Sequence, residues 1–87
     1  MEVEARNLHE VKEIIAFGGI DRIMLDNFTP EETLEALKLI DNKYETESSG
    51  GITSKTIRTY AECGVDYISV GALTHSVKNM DLSLKAF

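Results

Sequence analysis

Eighty-seven residues carrying a formal net charge of -6 make one small domain and are too few for two. With 43% hydrophobic and 28% charged residues the composition is that of a globular protein and argues against disorder. The excess of 15 acidic over 9 basic residues argues against nucleic acid as the main partner. It also disfavours a polyanionic substrate unless a metal or a basic part lying elsewhere compensates.

The predicted elements alternate along the chain. Met1 to Ala5 reads as a strand with Val3 and Ala5 on one face and Glu2 and Glu4 on the other. Asn7 is placed to cap a helix, with Glu10 completing a capping-box pattern. Leu8, Val11, Ile14 and Ile15 follow at helical spacing until Gly18-Gly19 stops it. Arg22 to Leu25 reads as a continuous buried strand of the kind found in parallel sheets covered on both faces. Thr29, Pro30, Glu31 and Glu32 form a clear helix start, and Leu34, Leu37 and Ile40 make the buried stripe. Tyr44 to Ser49 is a third strand ending in Gly50-Gly51. Thr53 is expected to cap a third helix whose apolar face includes Ile57, Tyr60 and Ala61, with Gly64 ending it. Asp66 to Val70 is a fourth strand followed by Gly71, and Leu82 to Phe87 reads as a fifth strand or an extended tail.

Strand–helix–strand repeated three times implies parallel strands joined by right-handed crossovers. The expected fold class is therefore α/β: either a partial (βα) barrel or part of an open doubly wound sheet, with about four parallel strands, three crossover helices and a C-terminal extended tail. Half a barrel leaves two edges unpaired. No apolar run approaches the roughly 20 residues of a membrane span, and Met1 to Glu4 is no signal peptide. The single Cys63 cannot form an internal disulfide, so a cytoplasmic location and no membrane partner are expected.

In parallel α/β folds ligands bind where the carboxyl ends of the strands open into loops. The residues at those exits are Glu4, Asp26, Ser49-Gly50-Gly51 and Gly71-Ala72, separated by 22, 23 and 22 positions. Such even spacing predicts one rim at about the same height, with two carboxylates on one side and two glycine turns on the other. Glycine lets a ligand approach the backbone, and consecutive N–H groups cradle a phosphate. A helix starting near Thr53 would add its dipole. Carboxylates suit sugar hydroxyls, a divalent cation or a developing positive charge. The combination fits a phosphorylated sugar.

Plainer readings stand beside these. Gly50-Gly51 also fits a strand-ending turn, Gly71 a structural role, Asp26 a turn opening towards the Thr29 cap, and Glu4 a solvated strand residue. Glu47 shares the face of Ser49 and needs a partner if it points inward. His75 reads as a loop residue, His9 as helix surface, and Cys63 as a packing residue. No Cys/His cluster has zinc spacing, and no Gly-x-Gly-x-x-Gly follows a strand.

The segments RIMLDNFTPEE, ETESSGGIT and GVDYISVGALTHS, followed by DLSLK, closely resemble the C-terminal part of the quinolinate phosphoribosyltransferases (carboxylating nicotinate-nucleotide pyrophosphorylases), and EVEARNLHEV matches the preceding strand and helix. The resemblance implies an enzyme of NAD biosynthesis, a glycosyltransferase that converts quinolinate and phosphoribosyl pyrophosphate to nicotinate mononucleotide, pyrophosphate and CO2 with Mg2+. It implies an incomplete α/β barrel joined to an N-terminal α/β domain. Residues 1–79 would be the C-terminal half of the barrel, and residues 80–87 a tail returning to that missing domain. Carried over by motif, Glu4 and Asp26 take the catalytic carboxylate positions near ribose and Mg2+. Ser49, Gly50 and Gly51, with Val70, Gly71 and Ala72, supply the 5′-phosphate cradle.

Two departures accompany the resemblance. The segment Phe17 to Asp21 is one residue longer than the family's usual connection. The family's cationic residues for quinolinate and pyrophosphate lie earlier in the full-length enzyme, whereas Arg6, Lys12, Lys55 and Arg58 fall here on helices or helix starts. The expectation is thus a fragment, inactive alone, of a homo-oligomeric enzyme. The alternatives are a self-associating half-barrel, driven by burial of Ile23, Leu25, Ile68 and Val70, and another phosphate-binding (βα) barrel enzyme.

Overall fold

The computed structural model describes residues 1–80. Its elements are β1 (Glu2–Ala5), α1 (Leu8–Phe17), β2 (Arg22–Asp26), α2 (Pro30–Ile40), β3 (Glu45–Ser49), α3 (Ile57–Cys63), β4 (Tyr67–Val70) and β5 (Leu73–Ser76), followed by a 3-10 turn over Val77–Asn79. The strands form one sheet in the order β1-β2-β3-β4-β5. The first four are parallel, and β5 returns antiparallel to β4. The four parallel strands and three helices are those expected. The tail expected over residues 80–87, Met80 aside, lies outside the described residues.

The local signals explain the helix ends. Asn7 accepts a hydrogen bond from the Glu10 amide at 2.9 Å, while the Glu10 carboxylate reaches back to the Arg6 amide at 2.8 Å. At α2 the full reciprocal box forms: Thr29 accepts from the Glu32 amide at 3.2 Å, and Glu32 accepts from the Thr29 amide at 3.0 Å. The third helix departs from expectation. Thr53 and Thr56 spend their hydroxyls on a turn, with Thr56 Oγ1 accepting from the Thr53 amide at 3.0 Å, and α3 starts only at Ile57.

Helix α1 packs on α2 and α2 on α3, so all three cover the same face of the sheet. Towards them point Ala5, Ile23, Leu25, Thr46, Ser48 and Ile68, all buried. The opposite face carries Glu2, Glu4, Arg22, Met24, Asp26, Glu45, Glu47, Ser49, Tyr67 and Ser69, which follow by alternation. This corrects the reading of β2 as covered on both sides. Only Ile23 and Leu25 are fully buried there; Arg22, Met24 and Asp26 are half-buried. An arrangement with every crossover on one side is that of a barrel wall, not of a doubly wound sheet.

The core falls into two clusters. One joins Ala5, Val11, Ile20, Ile23, Leu25, Phe28, Ala36 and Ile40; the other joins Ile52, Ile57, Ala61, Val65 and Ile68. Strand β3 lies between them, and the side chains it turns towards the helices are Thr46 and Ser48. Of the four residues expected to reward closure of two half-barrels, Ile23, Leu25 and Ile68 are already buried within this core, and Val70 is half-buried against the second cluster. They therefore supply no apolar drive for self-association.

Ile23 has no exposed surface, whereas Phe17 is 87% exposed. Ile23→Ala is expected to lower the unfolding free energy by about 3 kcal/mol. Phe17→Ala should stay within about 0.5 kcal/mol of the parent in the same urea titration.

Candidate functional site

The strand register places the predicted rim residues. Asp26 of β2 lies directly opposite Ser49 of β3. Glu4 lies opposite Met24, two residues short of Asp26. On β4, Tyr67 is opposite Glu47, so Gly71 stands two residues beyond the level of Ser49. The even sequence spacing therefore gives a slanted row rather than a level one. Its steps are two, zero and two residues with none reversed, and a closed eight-stranded barrel shears by about one residue per strand. The row is thus the layer expected of tilted barrel strands.

Asp26 and Ser49-Gly50 are drawn together by the backbone. The Asn27 amide donates to the Ser49 carbonyl at 2.8 Å, carrying the ladder one step past the strands. Asn27 has φ 61°, a left-handed conformation that asparagine tolerates better than most residues. Ser49 Oγ stands 3.5 Å from Asp26 Oδ1, a long contact. Gly50 is required here, since a Cβ on it would lie 2.8 Å from Asp26 Oδ1 and 3.0 Å from the Asn27 amide nitrogen, at φ +85°. The Tyr60 hydroxyl of α3 donates to the Phe28 carbonyl at 2.7 Å and steadies the same loop from the helix side.

Gly71 and Ala72 form the two-residue turn of the β4–β5 hairpin, between the facing residues Val70 and Leu73. Gly71 has φ +62° and Ala72 does not enter positive φ, the pattern of a type II′ turn with glycine first. A Cβ on Gly71 would meet nothing within 4 Å. His75, read as a loop residue, lies on β5 opposite Ile68. These residues were assigned to a phosphate grip, and the hairpin now gives the glycine a structural reason of its own. The dipole expected behind Ser49-Gly50-Gly51 is displaced, because α3 begins four residues after Thr53.

Arg6 is also placed differently from expectation. It follows β1 directly, and its Nε lies 3.7 Å from Glu4 Oε2, so a guanidinium does stand beside one rim carboxylate. Below the rim is a network that residue parity alone could have located. Arg22 Nη1 and Nη2 reach Glu47 at 3.3 Å and Glu45 at 3.4 Å, and its guanidinium stacks 3.7 Å from the centre of the Tyr67 ring. Ser69 donates to Glu47 at 2.6 Å, which supplies the partner that an inward carboxylate needs. Glu2 is held above the ordinary carboxylate range, first by its hydrogen bond with Glu47, then by partial burial and the charge of Glu47, against the pull of Arg22. Cys63 stays a packing residue: its thiol lies 3.3 Å from the Thr59 carbonyl, and burial pushes its pKa up.

The family described as "Quinolinate phosphoribosyl transferase, C-terminal domain" matches residues 1–85. This chain belongs to that family. A probable carboxylating nicotinate-nucleotide pyrophosphorylase of Methanocaldococcus jannaschii is 52% identical over 91 residues, which cover 97% of this chain and 32% of the relative. The chloroplastic carboxylating nicotinate-nucleotide pyrophosphorylase of Arabidopsis thaliana is 43% identical over 99 residues, 98% of this chain and 28% of the relative. The crystal structure of a nicotinate-nucleotide pyrophosphorylase from Ehrlichia chaffeensis matches with a TM-score of 0.77 at 32% identity, covering 91% of this chain and 27% of that one. The chain thus spans about a third of the length of these family members. No helix among the described residues is long and apolar enough to cross a membrane.

Gly50→Ala combines a blocked Cβ with a strained φ, whereas Gly71→Ala meets only the strained φ. Gly71→Ala should cost about 1–2 kcal/mol in a urea titration, and Gly50→Ala clearly more. A second expectation concerns acid dependence. The fold favours protonated Glu2, so that contribution is complete below the unfolded-state pKa and is lost as pH rises through the folded-state value. In Glu2→Gln the fall in unfolding free energy between mildly acidic and neutral pH should shrink; an unchanged profile would contradict the Glu2–Glu47 contact.

Proposed function

We propose that this domain forms the carboxylate and 5′-phosphate edge of a phosphoribosyl-transfer site, in a protein that converts quinolinate and phosphoribosyl pyrophosphate to nicotinate mononucleotide, pyrophosphate and CO2. The observation that carries the reading is the level pairing of Asp26 with Ser49 at the carboxyl ends of adjoining parallel strands, with Gly50 pressed against Asp26 and Asn27. The family membership and the names of the relatives support it.

The roles follow from charge and geometry. As the bond from the anomeric carbon to pyrophosphate lengthens, positive charge grows on the ribose ring, and a carboxylate fixed beside it lowers the barrier. Asp26, held by the β2–β3 exit, is the group for that task, and Glu4 binds ribose hydroxyls from the neighbouring strand. Ser49, Gly50 and Gly51, with Val70, Gly71 and Ala72 across the row, take the 5′-phosphate through backbone amides and the Ser49 hydroxyl. Mg2+ commonly binds through one or two carboxylates plus substrate phosphates. Among the described residues no group of three or more His, Cys, Asp or Glu gathers to hold a metal. Glu4 and Asp26 are the carboxylates that would hold a Mg2+ ion carried with pyrophosphate, and such an ion would help neutralise the leaving group.

A dicarboxylate and a pyrophosphate bring more negative charge than the exposed Arg6 beside Glu4 offsets. The remaining cations are assigned to the part of the relatives' length that this chain does not span, and the 87-residue chain alone is expected to show no turnover. The cytoplasm is proposed as its compartment on the strength of the unpaired Cys63 thiol.

The direct test is a chimaera in which this chain replaces the matched segment of the Methanocaldococcus relative. Formation of nicotinate mononucleotide is expected, and Asp26→Ala should lower kcat by about 100-fold or more. The same variant should bind nicotinate mononucleotide within a few-fold of the parent. An equal loss of both would contradict the role given to Asp26.

A further inference from the structure

Glu47 has no task in the site just described, yet it is the charged side chain among the described residues that the fold buries most deeply, at 3% exposure. A buried carboxylate persists only where partners compensate its lost hydration. Here they come from every neighbouring strand. Arg22 approaches from β2 at 3.3 Å, and Ser69 donates from β4 at 2.6 Å. Ser69 Oγ in turn lies 2.9 Å from Thr74 Oγ1, which brings in β5. One carboxylate on β3 therefore joins side chains of β2, β4 and, through Ser69, β5. Ser49 stands two residues further along the same strand and face, opposite Asp26.

We propose that Glu47 is a positioning residue: by clamping β2 and β4 onto β3 one layer below the rim, it sets the separation of Asp26, Ser49 and the β4 exit. The proposal rests on reading that rim as the phosphoribosyl site. The Ser69–Glu47 bond at 2.6 Å is short and directional and fixes the β3–β4 spacing, while Arg22, at 3.3 Å from Glu47, holds β2 by charge. Arg22 is kept in the lower layer by Glu45, Glu47 and the Tyr67 ring. The Asp26 carboxylate above it thereby stays available to a substrate.

Two readouts test this. Amide hydrogen exchange in the 87-residue chain follows the Asn27 N–H, whose bond to the Ser49 carbonyl bridges the rim. In Glu47→Leu and Ser69→Ala that amide should exchange at least about tenfold faster relative to the core amides of Ile23 and Leu25, and Glu47→Gln, which keeps the shape and one acceptor oxygen and can offer its NH2 to the Ser69 hydroxyl, should restore part of the protection. In the chimaera the first two variants should lose about tenfold or more in kcat, with KM for phosphoribosyl pyrophosphate within about threefold, and Glu47→Gln should again recover in part. Exchange that rises uniformly over rim and core, or kcat unchanged per folded molecule, would overturn the proposal. If Glu47→Leu does not fold, Ser69→Ala, which removes one hydroxyl, decides it. An unsubstituted chimaera without activity, combined with rim-confined exchange, would sink the phosphoribosyl reading and leave the clamp standing.

Discussion

Everything in this domain follows from the placement of all three helices on one side of the sheet. That constraint divides each strand by alternation into an apolar set facing helices and a polar set facing the barrel interior. Ile23 and Leu25 on one face of β2 and Arg22 and Asp26 on the other are the direct result. A polar interior is tolerable because its charges are satisfied laterally, from strand to strand. Arg22 with Glu45, Glu47 and Tyr67 is the centre of that arrangement. The rim carboxylates then project above a layer in which Arg22 is already engaged by Glu45 and Glu47.

Much of this was legible in the residues. The Thr29-Pro30-Glu31-Glu32 start, the Asn7 cap and the four parallel strands rest on local chemistry, and local chemistry is what a single sequence records. Parity along ETESS was enough to require a partner for Glu47, though not to identify Ser69 and Arg22. Three things escaped because they depend on tertiary distance. β5 was unread, since GALTHS carries the β-hairpin signal of an initial glycine without a hydrophobic alternation to announce it. The α3 start is displaced because the Thr56 hydroxyl bonds the Thr53 amide and carbonyl while the Thr53 hydroxyl takes the Lys55 amide, a competition that propensity alone does not resolve. The level of the rim was misjudged because equal spacing along the chain is not equal register when connections differ in length.

The family resemblance and the geometric reading select the same rim by separate routes, one through motif order and one through strand exits. The geometry adds a distinction among the glycines that motifs do not make. Gly50 is constrained by the protein itself, because Asp26 and Asn27 occupy the space of its Cβ. Gly71 is not so confined, and its need is for a positive φ at a hairpin turn. The acidic balance of the chain likewise acquires a location, with Glu2, Glu4, Asp26, Glu45 and Glu47 all on the interior face.

The polar middle strand has a mechanical consequence. Because β3 contributes Thr46 and Ser48 to the helix side, the two buried apolar clusters are joined above it through α2, whose Leu37 packs on the second cluster, and Ser48 Oγ is buried there without a partner among the described residues. The seam between β3 and β4 pairs only Glu47 with Tyr67 and Ser48 with Ile68, and is reinforced by the bonds of Asp66 to Thr46 and of Ser69 to Glu47. Within the sheet, the domain is therefore two packed rafts laced by polar stitches. The turn at Gly50-Gly51 rides with one raft and the turn at Gly71-Ala72 with the other. Under the proposed reading a single anion gripped by both would act as one more stitch across the joint, and filling the rim would also stiffen the fold.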